Sequence, residues 1–201
     1  QLLDFRRLEV QGLSLLVREE ELVSFCKEAT ESFSDLSESR NIQLTFTSNV
    51  EELKASFDYD KIEKILFNLL SNSFKFTHEG GKIGVTLQFN SDEGLDKNVT
   101  ITVCDTGIGI AEDKQEAIFE RYFQSLPEGA TVNRGSGIGL SLTKEFVQMH
   151  DGKISVKSKV GEGSCFIVIL PLKESFEIQL LSKETQLFES YKTTPSDGKI
   201  Q

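Results

Sequence analysis

Asn68, Asn72 and Lys75 stand at i, i+4 and i+7 in a stretch with helical periodicity, so they share one face, and Lys61 and Lys64 extend it toward the N-terminus. Asn is a mediocre helix former, so two at this spacing point to a use for their amide oxygens. Such oxygens suit Mg²⁺, which keeps several waters and is shared with substrate phosphates, and a lysine one turn on would neutralise those phosphates. The plainer alternative is a polar helix rim. Asp105 follows directly on a strand-like run, with Gly107 and Gly109 behind it. A carboxylate only accepts hydrogen bonds, so it can take one from the exocyclic amine of adenine, where guanine would present an oxygen. The two glycines remove Cβ atoms where a flat ligand would approach the backbone; an ordinary Asp-initiated turn is the alternative. Gly135, Gly137 and Gly139 alternate and then open a helix. A helix N-terminus offers N–H groups and a positive dipole end to phosphate, or the glycines form a hinge. Leu140 stands where a dinucleotide fingerprint would have its third glycine, and no P-loop pattern occurs. Phe119, Tyr122 and Phe123 surround Glu120 and Arg121, and lead into a loop from Gln124 to Arg134 that contains Pro127 and Gly129. These aromatics could anchor a lid while Arg121 or Arg134 reaches a phosphate, or simply pack beneath the loop.

The elements that must position these residues follow from periodicity. Tyr59 to Phe76 is the strongest helix: Ile62, Ile65, Leu66, Leu69, Leu70 and Ser73 form a stripe about 140° wide. Helices are also expected over Gln1 to Val10, Glu19 to Ser39, Ala111 to Phe119 (short) and Ile138 to Met149, the last stopped by Asp151 and Gly152. Strands are expected over Ile42 to Thr47, Lys82 to Phe89, Val99 to Cys104, Ile154 to Ser158 and Ser164 to Leu170, with Pro171 closing the domain. Helices and strands interleave without strict β-α-β alternation, which fits a two-layer α/β sandwich with a mixed sheet covered on one face by helices. Lys173 to Gln201 is polar and reads as a linker or C-terminal tail.

Composition narrows the function. The 201 residues carry 22 Lys plus Arg against 32 Asp plus Glu, a net charge of −10, and a pI near 4.8. That argues against a general nucleic-acid surface, so a polyanionic ligand must meet a local cluster of cations or N–H groups. No apolar run is long enough to span a membrane and no secretory signal is visible. Cys26, Cys104 and Cys165 are widely spaced and read as small hydrophobes of a reducing compartment. Two histidines, His78 and His150, are too few for a His-based metal site.

Taken in order, these segments from about Leu13 to Leu172 resemble the catalytic ATP-binding domain of sensor histidine kinases, in the superfamily shared with gyrase, the MutL repair protein and a large ATP-driven chaperone, whose fold is the Bergerat fold. The run from Asn68 to Thr77 is similar to that family's N box, Asp105 to Ile110 to its first glycine box, Phe119 to Phe123 to its F box, Gly135 to Leu140 to its second glycine box, and Gly161 to Phe166 to the turn near its last strands. The resemblance implies ATP and Mg²⁺ as ligands. Asn72 would be the principal metal ligand with Asn68 assisting, and Lys75, Arg121 and Arg134 would meet phosphates. Asp105 would take the adenine amine, and Gly107, Gly109, Ile110, Phe119, Tyr122, Gly135, Gly137, Ile138, Gly139 and Leu140 would line the nucleotide or its lid. ATP-hydrolysing relatives place a glutamate at the position of Asn68; Asn cannot take a proton from water at neutral pH, so the γ-phosphoryl would be kept for a protein acceptor. Ser73 stands where the family usually has Ala, a change expected to be silent. Leu2 to Leu8 looks like the end of the family's dimerisation hairpin, residues 1–12. The hairpin's acceptor histidine is not found here, and neither His78 nor His150 fits that role. The implied partners are the chain's own dimerisation domain, in a homodimer, and a response regulator receiver, with a cytoplasmic location, the whole protein tethered to the inner face of the membrane. The rival expectations are a conformational ATPase and a nucleotide-sensing scaffold without catalysis.

Overall fold

The computed structural model describes residues 14–91, 97–123, 137–172 and the backbone of 177–180. In chain order its elements are β1 (Arg18–Glu21), α1 (Leu22–Glu31), α2 (Ser34–Ser39), β2 (Gln43–Ser48), β3 (Val50–Phe57), α3 (Tyr59–Phe76), β4 (Lys82–Asn90), β5 (Asn98–Asp105), α4 (Gly139–Met149), β6 (Lys153–Lys159), β7 (Gly163–Pro171) and β8 (Glu177–Leu180). The expected N-terminal helix, the loop from Gln124 to Arg134 and most of the stretch after Lys173 fall outside the described residues.

Five strands form a mixed sheet in the order β2-β4-β5-β7-β6. β2 and β4 run parallel, and the other neighbours are antiparallel. A parallel neighbour needs a long crossover, and the segment through β3 and α3 supplies it. Alternation sends one set of side chains to each face. Ile83, Val85 and Leu87 of β4, Val99, Ile101 and Val103 of β5, and Phe166, Val168 and Leu170 of β7 are buried. They form one core with Ile62, Ile65, Leu66, Leu69 and Leu70 of α3, and Leu142, Phe146 and Val147 of α4. The intervening residues, among them Thr86, Thr100, Thr102, Cys104, Cys165 and Ile167, stay partly exposed on the other face. This is the expected sandwich of a mixed sheet under a helical layer.

A second sheet, β1-β3-β8, was not expected. β3 carries a register irregularity between Val50 and Glu52. Its buried residues are therefore Val50, Leu53, Ala55 and Phe57, a pattern that slips by one and hides the strand's period. β1 occupies the first turns of the helix expected from Glu19. The helix starts instead at Leu22, because the Glu21 carboxylate accepts from the N–H groups of Val23 and Ser24 and from Leu53 on β3. The same expected helix breaks at Ser32 and Phe33, where Phe33 turns inward to stack on Phe74, with centroids 5.4 Å apart. Glu177–Leu180, within the expected tail, alternates in type and pairs antiparallel with β3. The short helix expected from Ala111 is two separate 3-10 turns, Glu112–Lys114 and Ala117–Phe119, in a segment without an apolar helical stripe. Cys104 and Cys165 are not isolated hydrophobes either: register places them directly opposite each other on β5 and β7, and they are disulfide-bonded. Cys26 is buried in the core as expected.

Candidate nucleotide site

The site is built where α3, the end of β5 and the start of α4 meet. Asp58 caps α3 by accepting from the Lys61 N–H, and its own N–H donates to His150 Nε2 at the end of α4, 3.2 Å away. His150 Nδ1 then donates to the Phe146 carbonyl at 2.7 Å. Both ring nitrogens of this buried histidine are used, and their use ties the start of α3 to the end of α4. Lys61 and Lys64 both bind Asp60, and Lys61 also lies over the Phe146 ring. Both thus pair at the helix start, and Lys64 also lines the cavity beside Asn68.

Of the other residues singled out on α3, Asn68 lines a cavity beside α4. Asn68 donates through Nδ2 to Thr143 Oγ1 at 2.8 Å, and Thr143 donates to the Gly139 carbonyl at 3.0 Å. The amide orientation is thereby set, leaving Oδ1 beside Gly139, where any Cβ would collide with it. A cavity of about 350 Å³ opens here, lined by Glu63, Lys64, Phe67 and Asn68 of α3 and by Gly139, Leu142, Thr143 and Phe146 of α4, on the side of Asn68 toward the start of α3. Asn72 is half-buried one turn on, and the Lys75 ammonium lies 5.1 Å from the Phe76 ring centroid. Among the described residues no cluster of three or more His, Cys, Asp and Glu could hold a metal. The donor set that is present, two amide oxygens on one helix face, fits a cation such as Mg²⁺ that takes one or two protein oxygens and completes its shell with water and phosphate.

Asp105 ends β5. Its Oδ1 accepts from the Gly107 N–H at 2.9 Å, and its Oδ2 accepts from Ser73 Oγ at 3.4 Å. Burial pushes the carboxyl's pKa upward, opposed by hydrogen bonds from the Gly107 and Ser164 backbone and from Ser73. Ser73, buried on the packed stripe as expected, is also a hydrogen-bond partner of Asp105. The glycines also have close neighbours within the chain. A Cβ on Gly107 would lie 2.5 Å from the Phe76 carbonyl oxygen, and one on Gly109 (φ +69°) would collide with the Lys159 carbonyl. Their smallness lets the loop pack against α3 and the β6–β7 turn. The Ile110 N–H donates to Ser158 Oγ at 2.8 Å, continuing that anchorage. Thr77, just past α3, has a buried hydroxyl without a hydrogen-bond partner among the described residues.

On the far side, Phe119 meets Phe166 edge to face, with centroids 6.4 Å apart. Tyr122 is exposed, and its N–H donates to the Gly137 carbonyl at 2.9 Å. Arg121 lies 3.7 Å from Glu145 of α4. Ile138 is buried and Leu140 is packed against the core, so the start of α4 is fixed from below. Arg134 and Gly135 lie outside the described residues. The structure thus joins Asn68 to Thr143 and Gly139 at the start of α4, and Asp105 to Gly107 and to Ser73 of α3. Sequence reasoning missed Ser73 and Thr143; a hydroxyl four residues after Gly139, on the helix face that meets Asn68, was the available signal for the second.

Comparison with known proteins gives the same picture. Residues 57–174 match the family described as Histidine kinase-, DNA gyrase B-, and HSP90-like ATPase. Histidine kinase P4 of Formosa agariphila is 37% identical over 176 residues, which is 86% of this chain and 12% of that protein. The chain therefore spans a small part of that relative's length. The solved catalytic domain of histidine kinase ThkA superimposes with a TM-score of 0.66 at 27% identity, covering 79% of this chain and 97% of that one. ThkA solved in complex with response regulator protein TrrA gives 0.65 at 25% identity, covering 86% of this chain and 49% of that one.

Proposed function

Because the chain belongs to the histidine kinase-, DNA gyrase B- and HSP90-like ATPase family, we propose that it is the catalytic ATP-binding part of a sensor histidine kinase. Its role is to donate the γ-phosphoryl of ATP to a histidine on the protein's own dimerisation domain, from which it passes to an aspartate of a response regulator. The observation that carries this reading is the cleft itself: an acceptor carboxylate, Asp105, joined through Ser73 to the helix that presents Asn68, Asn72 and Lys75.

Asp105 takes the adenine amine in its ionised form, held in place by Gly107, Ser164 and Ser73. Asn72 and Asn68 would hold Mg²⁺ together with the phosphates, and Lys75, on the same helix face, would meet their charge. The bound ion supplies charge neutralisation at the transferring phosphoryl. Asn68 is an amide with its nitrogen committed to Thr143, so it offers water no base. Hydrolysis is slow and the phosphoryl waits for the acceptor. By the family resemblance Arg121 and Arg134 would meet the phosphates. The reading places the chain on the cytoplasmic side, beside ATP and receiver domains, with other parts of a longer homodimeric protein tethering it to the membrane. No helix among the described residues is itself long and apolar enough to cross one.

The test is transfer of labelled phosphoryl from ATP to a supplied helical hairpin carrying the acceptor histidine. Label on the hairpin, with little free phosphate, is the expected result. Steady phosphate release would favour a conformational ATPase, and nucleotide binding with neither product would favour a sensing scaffold.

A further inference from the structure

The nucleotide mechanism leaves one reactive pair unused. Cys104 and Cys165 are partners in the antiparallel register of β5 and β7, with Cα atoms 4.0 Å apart, and are disulfide-bonded. Both are partly exposed on the sheet face turned away from the helices. Cys26 is fully buried, and burial pushes its thiol's pKa far up, so it is unreactive by comparison. Neighbouring residues of a strand point to opposite faces, so the bridge lies directly behind Asp105. Asp105 follows Cys104, Ser164 precedes Cys165, and these two are themselves register partners. Gly163 packs so closely on the Asp105 carbonyl that no Cβ fits between them. The cysteines, 61 residues apart in sequence, bracket the first glycine box, the F box, the lid and α4.

We infer that Cys104 and Cys165 are a reversible thiol-oxidation site whose state sets how firmly Asp105 is held for adenine. The coupling rests on the reading of Asp105 as the adenine anchor. In a reducing compartment a disulfide acts as a sensor more often than as a permanent staple. The oxidant is a low-molecular-weight disulfide. One cysteine thiolate attacks it and displaces a small thiolate, which leaves a mixed disulfide. The second cysteine, as thiolate, attacks the protein sulfur of that mixed disulfide and displaces the other small thiolate. Two protein thiols are oxidised, one small disulfide is reduced to two small thiols, and the cysteines' two protons end on the released thiols. Reduction by excess small thiol reverses both steps. The bridge cross-links β5 and β7 at the residue pair next to Asp105 and Ser164, so reduction removes a constraint on the strand position beside Asp105. Displacements below 1 Å at a positioning group are enough to alter binding. In the bridged form the carboxylate already has its Gly107, Ser164 and Ser73 donors, so this is the pre-organised state and reduction weakens nucleotide binding. By linkage, nucleotide favours the bridge by the same factor.

The 201-residue chain is equilibrated with reduced and oxidised glutathione at a series of ratios, its thiols are trapped and counted by mass, and ADP affinity is measured by calorimetry. The expected count falls from three thiols to one as the ratio becomes oxidising. The ADP dissociation constant rises about fivefold or more on reduction, and that difference disappears in the C104S/C165S and C104V/C165V double variants. A pair that does not form with oxidised glutathione overturns the inference. So does equal or tighter ADP binding by the reduced protein. If neither form binds ADP while the thiol count still switches, the nucleotide reading fails and takes the coupling with it. If Asp105→Ala abolishes binding but the two wild-type forms do not differ, the coupling alone fails.

Discussion

The two ends of the cleft are built differently. At the end proposed for adenine, Asp105 is the last residue of a central strand, fixed by main-chain N–H donors, and the loop behind it is wedged by Gly107 and Gly109 against the backbones of α3 and the β6–β7 turn. At the phosphate end, the key groups are joined by side chains crossing between helices: Asn68 to Thr143, and Thr143 back to Gly139. Gly137 is tied to Tyr122 by a main-chain hydrogen bond. Recognition of a rigid base profits from fixed donors and acceptors, whereas phosphoryl transfer needs parts that close and reopen. A single fold supplies both by placing one set on the sheet and the other on a helix start.

Substitutions at the two ends should therefore fail in different ways. Asp105→Ala is expected to weaken ADP binding most, by about 10- to 100-fold, the worth of a hydrogen bond to a charged group, read by calorimetry. Its pH dependence sharpens this. Asp105 must be ionised to accept from adenine, and its raised pKa means that affinity falls on acidification sooner than for an ordinary aspartate. The stability effect has the opposite sense. The folded state holds the Asp105 proton to higher pH than the unfolded one, so stability falls as pH rises between the unfolded value of about 3.9 and the raised folded one. At neutral pH the charged carboxylate is a net cost, and Asp105→Asn should bind ADP poorly yet melt no lower than wild type. Next in size, Asn72→Ala should make ADP affinity independent of Mg²⁺, a loss of about tenfold when the ion is present. Thr143→Val should leave ADP affinity nearly unchanged while slowing phosphoryl transfer several-fold, with Thr143→Ser restoring the rate; equal loss of both would mean that Thr143 only holds the helices together. Ser73→Ala should be the mildest, about a twofold loss of ADP affinity, because its 3.4 Å contact is long for a hydroxyl donor.

What the sequence made legible follows the same division. α3 forms over the residues its apolar stripe predicted, and the spacing of Asn68, Asn72 and Lys75 put them on a shared face before any coordinates. Periodicity also placed β4, β5, β6 and β7 to within about two residues, in line with ordinary boundary error. It missed β3 because a register irregularity breaks the alternation, and it extended a helix over β1 because the cap at Glu21 depends partly on Leu53, 32 residues away. The Cys104–Cys165 bridge was invisible for a related reason: strand register, which no single sequence states, decides that residues 61 apart become neighbours. Ser73 and Thr143 escaped because their roles exist only once helices face the strand end and each other. That the glycines of the first box also let the loop pack on the Phe76 and Lys159 carbonyls was not visible from spacing alone.

The central claim is that one purine triphosphate spans both ends of this cleft. The most direct measurement is a crystal structure of the chain with a nonhydrolysable ATP analogue and Mg²⁺. The account predicts the exocyclic amine of adenine within about 3.2 Å of the Asp105 carboxylate and the phosphates beside Asn68 and Asn72. A base bound elsewhere, or a cleft left empty at saturating analogue, would contradict it.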